Sequence, residues 1–351
     1  MKIYMAGGVS GNLKPYWKEL SKYLSSGEKY TEASDNAMRV FLAGSEGRHR
    51  VIYENILGRK KREKADNTGY NSCDCSWQGS PRGGAGGYDQ YIREYHPFIL
   101  ESFYYCDADT ERLLPYYGDF LLDSGAFTFM QGSGTVDFDN YVERYADFIN
   151  RNHIEKYFEL DVDAVTGYEK VLQYRKRLEQ LTSRPCIPVW HKSRKIEEFI
   201  KMCQEYSYVA IGGIVSKEIK PEEYSHFPKL INIAHKNGAK IHGLGFTNLA
   251  CLQHYHFDSV DSTAWTTGNR FGYLYYFDGK TMRKREPPKG HRIADSRAAA
   301  INNYVEWIKY QKYAELHFKK VRKPHEKNRK KFSYTYFAVC YFPAYRKHNQ
   351  Q

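Results

Sequence analysis

The chain has 351 residues, 41% hydrophobic and 16% aromatic, with 32 Tyr and 19 Phe. Its mean hydropathy of −0.72 would suit disorder, but so many rings, each burying a large face, exclude a disordered chain and suffice for one large domain. With 53 Lys and Arg against 41 Asp and Glu, the net charge of +12 favours a polyanionic partner, nucleic acid first.

The predicted strands, in chain order, are Lys2–Ala6, Arg39–Ala43, Ile99–Tyr105, Phe120–Asp123, Tyr157–Asp163, Cys186–Trp190, Val209–Ile214, Lys240–Phe246 and Phe257–Asp261. Amphipathic helices are predicted between them over Phe138–Asn150, Tyr168–Leu181, Lys195–Tyr206 and Pro228–Asn237. Strands alternating with helices of this length predict an α/β fold with a parallel sheet. Polar residues end nearly every strand instead of clustering at one switch point, which favours a (β/α)8 TIM-like barrel over a doubly wound open sheet. There is one strand too many for that barrel, and Lys2–Ala6 resembles Arg39–Ala43 in pattern, so one of the two is expected outside it. Residues 1–293 read as the barrel domain, with a flexible Gly-rich insertion over about 67–87. Residues 294–351 read as a basic helical extension.

Two basic runs are the candidate nucleic-acid contacts. The first is Arg59, Lys60, Lys61 and Arg62. The second holds Lys319, Lys320, Arg322, Lys323, Lys327, Arg329, Lys330 and Lys331, followed by Phe332, Tyr334 and Tyr336. Cations followed by aromatics suit phosphate contact and base stacking. No apolar run has the length of a membrane span, and the opening Met1-Lys2-Ile3-Tyr4 reads as a strand, not a secretory signal. A soluble, cytoplasmic protein with no membrane partner is therefore expected. The seven cysteines are scattered, and the close pair Cys73 and Cys75 lacks a second pair or His at metal-site spacing, so no metal is expected.

The chemistry-bearing residues lie at strand ends. Asp123 closes an apolar strand and opens Asp123-Ser124-Gly125-Ala126-Phe127, where a hydroxyl and an approachable backbone flank the carboxylate. Glu159, Asp161 and Asp163 alternate and are expected on one face, where one of them can accept the N1–H and 2-amino edge of a guanine. A divalent metal is the rival occupant of three clustered carboxylates. Gly212 and Gly213 leave a strand end open, so that backbone N–H groups can reach an exocyclic oxygen of a flat base. Asp258 and Asp261, three apart, fall on opposite sides of their strand, one inward as a nucleophile and the other holding a neighbouring loop.

Taken in order, these motifs resemble those of the tRNA-guanine transglycosylase superfamily. Asp123-Ser-Gly-Ala-Phe is similar to its Asp-Ser-Gly-Gly-Phe, and Leu160-Asp161 to its base-recognition strand. Ile211-Gly212-Gly213-Ile214-Val-Ser-Lys-Glu218 is similar to Gly-Gly-Leu-Ala-x-Gly-Glu, and His242-Gly243-Leu244-Gly245 to Met-Gly-Val-Gly. Asp258-Ser-Val-Asp261-Ser is similar to Asp-x-Phe-Asp followed by Cys or Ser. The resemblance implies Asp261 as nucleophile and Asp123 as general acid/base. It implies that Asp161 reads the purine edge while Ser124 and Gly213 position the base. Gly212, Phe127, Asp163, His242 and Trp190 complete the expected base pocket, and Trp190 and Trp265 are expected to stack on the flipped base.

Two departures narrow the expectation. The family's Cys-x-Cys-x-x-Cys…His zinc site is missing, since only Cys340 follows Cys251, so no cofactor is expected. Its Val-Gln-Gly-Gly strand is replaced by Val189-Trp190-His191-Lys192. The compact length, missing zinc site and basic C-terminus look more like the branch, carried by phages and DNA-modification gene clusters, that inserts 7-deazaguanines such as preQ0 into DNA. DNA and a 7-deazaguanine base are thus the expected partners, with tRNA as the alternative, and a homodimer is left open. The rivals are a nucleoside deoxyribosyltransferase, a basic DNA-binding protein on an inactive barrel, and a metal-dependent hydrolase built on Glu159, Asp161 and Asp163.

Overall fold

The structure, a computed structural model, describes residues 1–7, 13–43, 96–131, 136–246, 248–249, 252–271, 273–285 and 296–318. The insertion at 67–87 and both basic runs, Arg59 to Arg62 and Lys319 to Lys331, lie outside the described residues.

Seven parallel strands form one curled sheet in the order β3-β2-β1-β7-β6-β5-β4. They are β1 (Lys2–Ala6), β2 (Phe98–Ser102), β3 (Asp119–Asp123), β4 (Val189–Trp190), β5 (Tyr208–Ile211), β6 (Lys240–Gly243) and β7 (Ser259–Ser262). The first strand pairs with the last, Tyr4 opposite Asp261, and with β2, Met5 opposite Ile99. Single parallel bridges join Leu122 of β3 to Tyr157 and Phe158 to Ile187, just before β4. Phe158 N–H donates to the Leu122 carbonyl, and Glu159 N–H to that of Ile187, both at 3.0 Å.

Strand alternation builds two apolar layers. One face gathers Tyr4, Phe98, Leu100, Leu121, Phe158, Ile187, Val189 and Ala210 into one cluster. The other sends Ile3, Met5, Ile99, Val209, Ile241 and Val260 against the helices. A helix follows most strands; in α5 (Phe138–Arg151) the Asp137 side chain caps the first turn by accepting from Asn140 N–H at 3.1 Å. Phe138, Tyr141, Val142, Tyr145, Phe148 and Ile149 of α5 are buried at helical spacing. Two of its tyrosines fasten strand ends: Tyr145 Oη reaches the carbonyls of Leu122 (3.2 Å) and Phe158 (3.1 Å), and Tyr141 Oη donates to the Ser124 carbonyl at 2.7 Å. Among the described residues no helix is long and apolar enough to cross a membrane.

Several expectations are corrected. Arg39–Ala43 is not a strand but the last turn of helix α2 (Tyr30–Ala43), which packs on α1 (Lys14–Ser25). Ala33, Ala37, Met38, Phe41 and Leu42 are its buried face, a helical spacing that the apolar run Val40-Phe41-Leu42 disguised. The helical part of the expected C-terminal extension, α11 (Ser296–His317), packs tightly on the sheet. Its Gln311 is buried and donates to the carbonyls of Ile3 (2.8 Å) and Phe98 (2.7 Å). A hairpin of β8 (Leu274–Phe277) and β9 (Met282–Arg285), absent from the predicted elements, lies against α11.

The acidic triplet also divides. Glu159 is fully buried on the helical side, where it accepts from Arg175 Nε (2.6 Å) on α7 (Tyr168–Thr182), Arg194 Nη1 (3.1 Å) and Val189 N–H (2.8 Å). Val162 N–H closes onto the Leu160 carbonyl at 3.0 Å, so the chain turns there and the period-2 pattern ends. Asp163 opens the short helix α6 (Asp163–Thr166) and pairs with Arg194 at 2.9 Å. Glu159 therefore neutralises two buried guanidiniums, and removing one member of such a group leaves charge uncompensated. Glu159→Ala is expected to lower unfolding free energy by about 3–5 kcal/mol, measured by urea titration at neutral pH; a loss within about 0.5 kcal/mol would contradict this role.

Candidate active site

Three aspartates meet beyond the carboxyl ends of the strands, each held by a different device. Asp123 ends β3, and its Oδ2 accepts the Gly125 N–H at 3.0 Å. Gly125 has φ +84°, and a Cβ there would lie 2.9 Å from Ser102 Oγ and 3.1 Å from Tyr141 Oη, so the turn requires glycine. Ser124 is fully buried, and its Oγ, like that of Ser102, has no hydrogen-bond partner among the described residues. Buried hydroxyls are ordinarily satisfied, so both serines leave hydrogen-bonding capacity unused next to Asp123.

Asp261, on β7, is nearly buried. Its Oδ1 accepts from the Gly245 N–H at 2.6 Å and from His242 Nε2 at 3.1 Å. His242 Nδ1 lies 2.5 Å from Ser259 Oγ, which in turn contacts Tyr208 Oη. If Tyr208 donates to Ser259 and Ser259 to Nδ1, every donor is used and Nε2–H is fixed on Asp261. Both donors grip Oδ1, and Oδ2 has no hydrogen-bond partner among the described residues. Asp258 behaves as the alternation predicts, turning away to accept from the Ile241 N–H at 2.9 Å and to pair with His235 at 2.9 Å.

Asp161 is buried with its Oδ2 3.3 Å from His191 Nε2, and His191 Nδ1 lies 3.0 Å from Glu218 Oε2. Glu218 also accepts the Ser193 N–H at 2.7 Å. Burial opposes a charge on His191, but the hydrogen bond and charge of Asp161 outweigh it and push the imidazole up to about 9. Burial likewise raises Asp161, while His191 pulls it back down. Burial also opposes charge on Glu218, but the Ser193 N–H and His191 hold it below the usual carboxylate range.

These groups act on Asp123. Its carboxyl is pushed from 3.8 up to about 7, first by burial, then by the negative charge of Asp161, with a further push from Asp261, against the Gly125 N–H. The site thus combines a carboxyl that exchanges a proton near neutrality, a second carboxyl with one oxygen clamped by two donors, and a third backed by an imidazolium.

The expected site residues fare unequally. Asp123, Ser124, Asp161 and Asp261 come together. His242 is fully buried beneath Asp261, beside the Phe158 ring at 5.3 Å, and so touches the carboxylate in place of a base. Trp190 points to the helical layer, where it packs on Phe199 at 5.3 Å and donates to the Lys195 carbonyl at 2.7 Å. Alternation along β4 turns its neighbour His191 to the site instead, a signal present in the sequence but unread. Trp265 is buried as well, donating to the Ala6 carbonyl at 2.9 Å. The Gly212 N–H is spent on the Trp190 carbonyl at 2.8 Å, so it cannot serve a ligand. The glycine pair makes room for side chains: a Cβ at Gly212 would lie 2.9 Å from His191 Nε2, and one at Gly213, φ +77°, 2.8 Å from Glu218 Oε2. Asp163 leaves the site for Arg194, and Phe127 lies in helix α4 (Ala126–Gln131), its side chain outside the described residues. Among the described residues no group of three or more His, Cys, Asp or Glu is placed to hold a metal ion.

No family model matches the chain, and no curated protein sequence matches it.

Because Asp123 holds its proton to about 7, the folded chain binds a proton that the unfolded chain releases near pH 4. That contribution to stability is complete below about pH 4 and is lost as pH rises to 7. Asp123→Asn cannot ionise, so at pH 8 it should be more stable than wild type. The shift implies about 4 kcal/mol, and screening by solvent at the carboxyl edge reduces this to about 3 kcal/mol or less. The gain should vanish at pH 4; equal gains at both pH values in thermal or denaturant unfolding would refute the raised pKa.

Proposed function

We propose that the chain is a glycosyltransferase of the guanine transglycosylase type, exchanging guanine in DNA for a 7-deazaguanine such as preQ0. One observation carries the proposal: Asp123 and Asp261 converge, the first exchanging a proton near neutrality and the second presenting one free oxygen. The scaffold we assign is a (β/α)8 barrel. The Tyr157–Phe158 bridges, which link β3 to the Ile187 segment leading into β4, supply the eighth stave of that reading.

In the reaction the target nucleotide leaves the duplex stack, at a cost of a few kcal/mol. Asp261 Oδ2 attacks C1′ while the C1′–N9 bond breaks and its electron pair passes into the guanine ring. Asp123 gives its proton to the departing base, and the sugar is held as an ester of Asp261. The Gly245 N–H and His242 Nε2–H stay on Oδ1, now the ester carbonyl oxygen, and polarise it for the second displacement. The incoming base attacks C1′ through N9, the ester C1′–O bond breaks to restore the carboxylate, and Asp123 takes up the proton lost by that base. Two inversions give retention. Asp161, hydrogen-bonded to His191, accepts from the N1–H and 2-amino groups that guanine and preQ0 share. Net charge +12 favours a polyanionic partner, and the absence of a zinc motif favours DNA over tRNA.

Radiolabelled guanine incubated with the protein and either duplex DNA or tRNA tests the assignment. Label should enter DNA, and Asp261→Ala should reduce incorporation at least about 10³-fold, the scale of losing a covalent nucleophile. Label in tRNA alone would overturn the DNA assignment. Label in neither polymer, with preQ0 also supplied, would overturn the activity.

A further inference from the structure

We infer that Ser102 is the residue that binds the deoxyribose of the flipped nucleotide, an inference that rests on the transglycosylase reading. Ser102 ends β2, and parallel register sets it directly opposite Asp123. Phe98 and Leu100 of β2 face the inner apolar layer with Leu121 of β3, so alternation turns Ser102 and Asp123 to that same face. Ser102 Oγ lies 2.9 Å from the position that a Cβ on Gly125 would take, and the Gly125 N–H donates to Asp123. This buried hydroxyl has no hydrogen-bond partner among the described residues. Its ordinary structural use is not taken up either. Ser102 stands at the N-cap of the short 3-10 turn Phe103–Tyr105, where a serine normally accepts a backbone N–H, yet its side chain makes no cap. The Ser102 carbonyl, by contrast, accepts from the Cys106 thiol at 3.4 Å and ties the turn down.

Strand order decides which part of a nucleotide this hydroxyl meets. In the order β3-β2-β1-β7, β2 and β1 stand between the strand of Asp123 and that of Asp261. Asp161 and His191 lie beyond the other edge of β3, where Tyr157 pairs with Leu122 and Phe158 with Ile187, on the way to β4. With the purine edge on Asp161 and C1′ at Asp261, the sugar extends toward β1 and β2. Along the inner face of those two strands, Lys2 and Tyr4 both donate to Asp119, which begins β3 at the opposite end of the sheet. Ala6, Phe98 and Leu100 carry no polar side-chain group, which leaves Ser102. The charges that converge on Asp123 are those of Asp161 and Asp261. Carboxyls so placed disfavour a phosphate and suit an uncharged oxygen. Within the deoxyribose, O4′ gains positive charge as the C1′–N9 bond opens, so the serine hydroxyl donates to O3′ or O5′ instead. Such a contact is equal in the ground and transition states and serves binding, not the barrier.

The test is steady-state exchange of radiolabelled guanine into duplex DNA by wild type, Ser102→Ala and Ser102→Cys, with free-guanine binding followed by calorimetry and folding by the thermal midpoint. Loss of one neutral hydrogen bond should raise KM for DNA about three- to tenfold in Ser102→Ala. Its kcat should stay within about twofold of wild type, and the pH profile of kcat should not move. Ser102→Cys, which keeps the volume but donates weakly, should match Ser102→Ala; if the alanine variant does not fold, the cysteine variant carries the comparison. Guanine affinity should stay within about twofold in both, because the base lies on the far side of Asp123. A fall in kcat with a displaced pH profile would make Ser102 a partner of Asp123 and overturn the sugar assignment. A parallel loss of guanine affinity, unchanged kinetics in Ser102→Ala, or a wild-type KM in Ser102→Cys would overturn it too, with the transglycosylase reading left standing. Wild type that exchanges no guanine into DNA would overturn that reading and this inference together.

Discussion

Withdrawing three carboxylates from water at the carboxyl ends of one parallel sheet is the constraint around which this chain is organised. An ionised carboxylate in such a place is expensive unless it is hydrogen-bonded, paired or protonated. The chain uses each remedy once. Asp261 receives two N–H donors on one oxygen, Asp161 faces an imidazolium, and Asp123 keeps its proton up to about 7. Because the remedies differ, the three groups differ in chemistry, and the proposed roles of nucleophile, base reader and proton carrier rest on that difference.

Much of the surrounding structure serves to hold that arrangement. The buried row Tyr208, Ser259 and His242 aims one N–H at Asp261 from below. The row Glu218 and His191 does the same for Asp161 from the side. Gly212 and Gly213 leave the space that His191 and Glu218 occupy, and Gly245, φ +70°, makes room for Val215, whose Cγ2 would stand 2.2 Å from a Cβ there. Tyr141 ties the loop after Asp123 to helix α5, and Tyr145 ties the strand before it. Positioning of this kind is what allows a carboxylate pair to act without first reorganising its solvent.

Much of this was legible in the sequence wherever one residue's environment follows from its own neighbours. Apolar strands ending in polar residues located β1, β3, β5, β6 and β7, and the three-residue spacing of Asp258 and Asp261 foretold their divergence. What was not legible depended on partners far along the chain. Glu159 leaves the expected acidic face because Arg175 and Arg194, contributed by later segments, draw it to the helical layer. Val40-Phe41-Leu42 reads as a strand until α1 covers its helical face. Trp190 has the residue type suited to stacking, but alternation along β4 turns it to the helical layer and His191, one residue on, to the site. The β8–β9 hairpin carries no strand pattern in the sequence, because β9 is a basic run with a single apolar residue.

The central claim is that Asp261 forms a covalent bond to the sugar through its free oxygen. The direct measurement is a denaturing gel of the protein mixed with guanine-containing duplex DNA and quenched in acid, with the cross-linked peptide then read by mass spectrometry. The account predicts a protein–DNA adduct whose mass lies on Asp261, discharged by added guanine and missing in Asp261→Ala. An adduct on another residue, or guanine exchange that proceeds undiminished in Asp261→Ala, would contradict it.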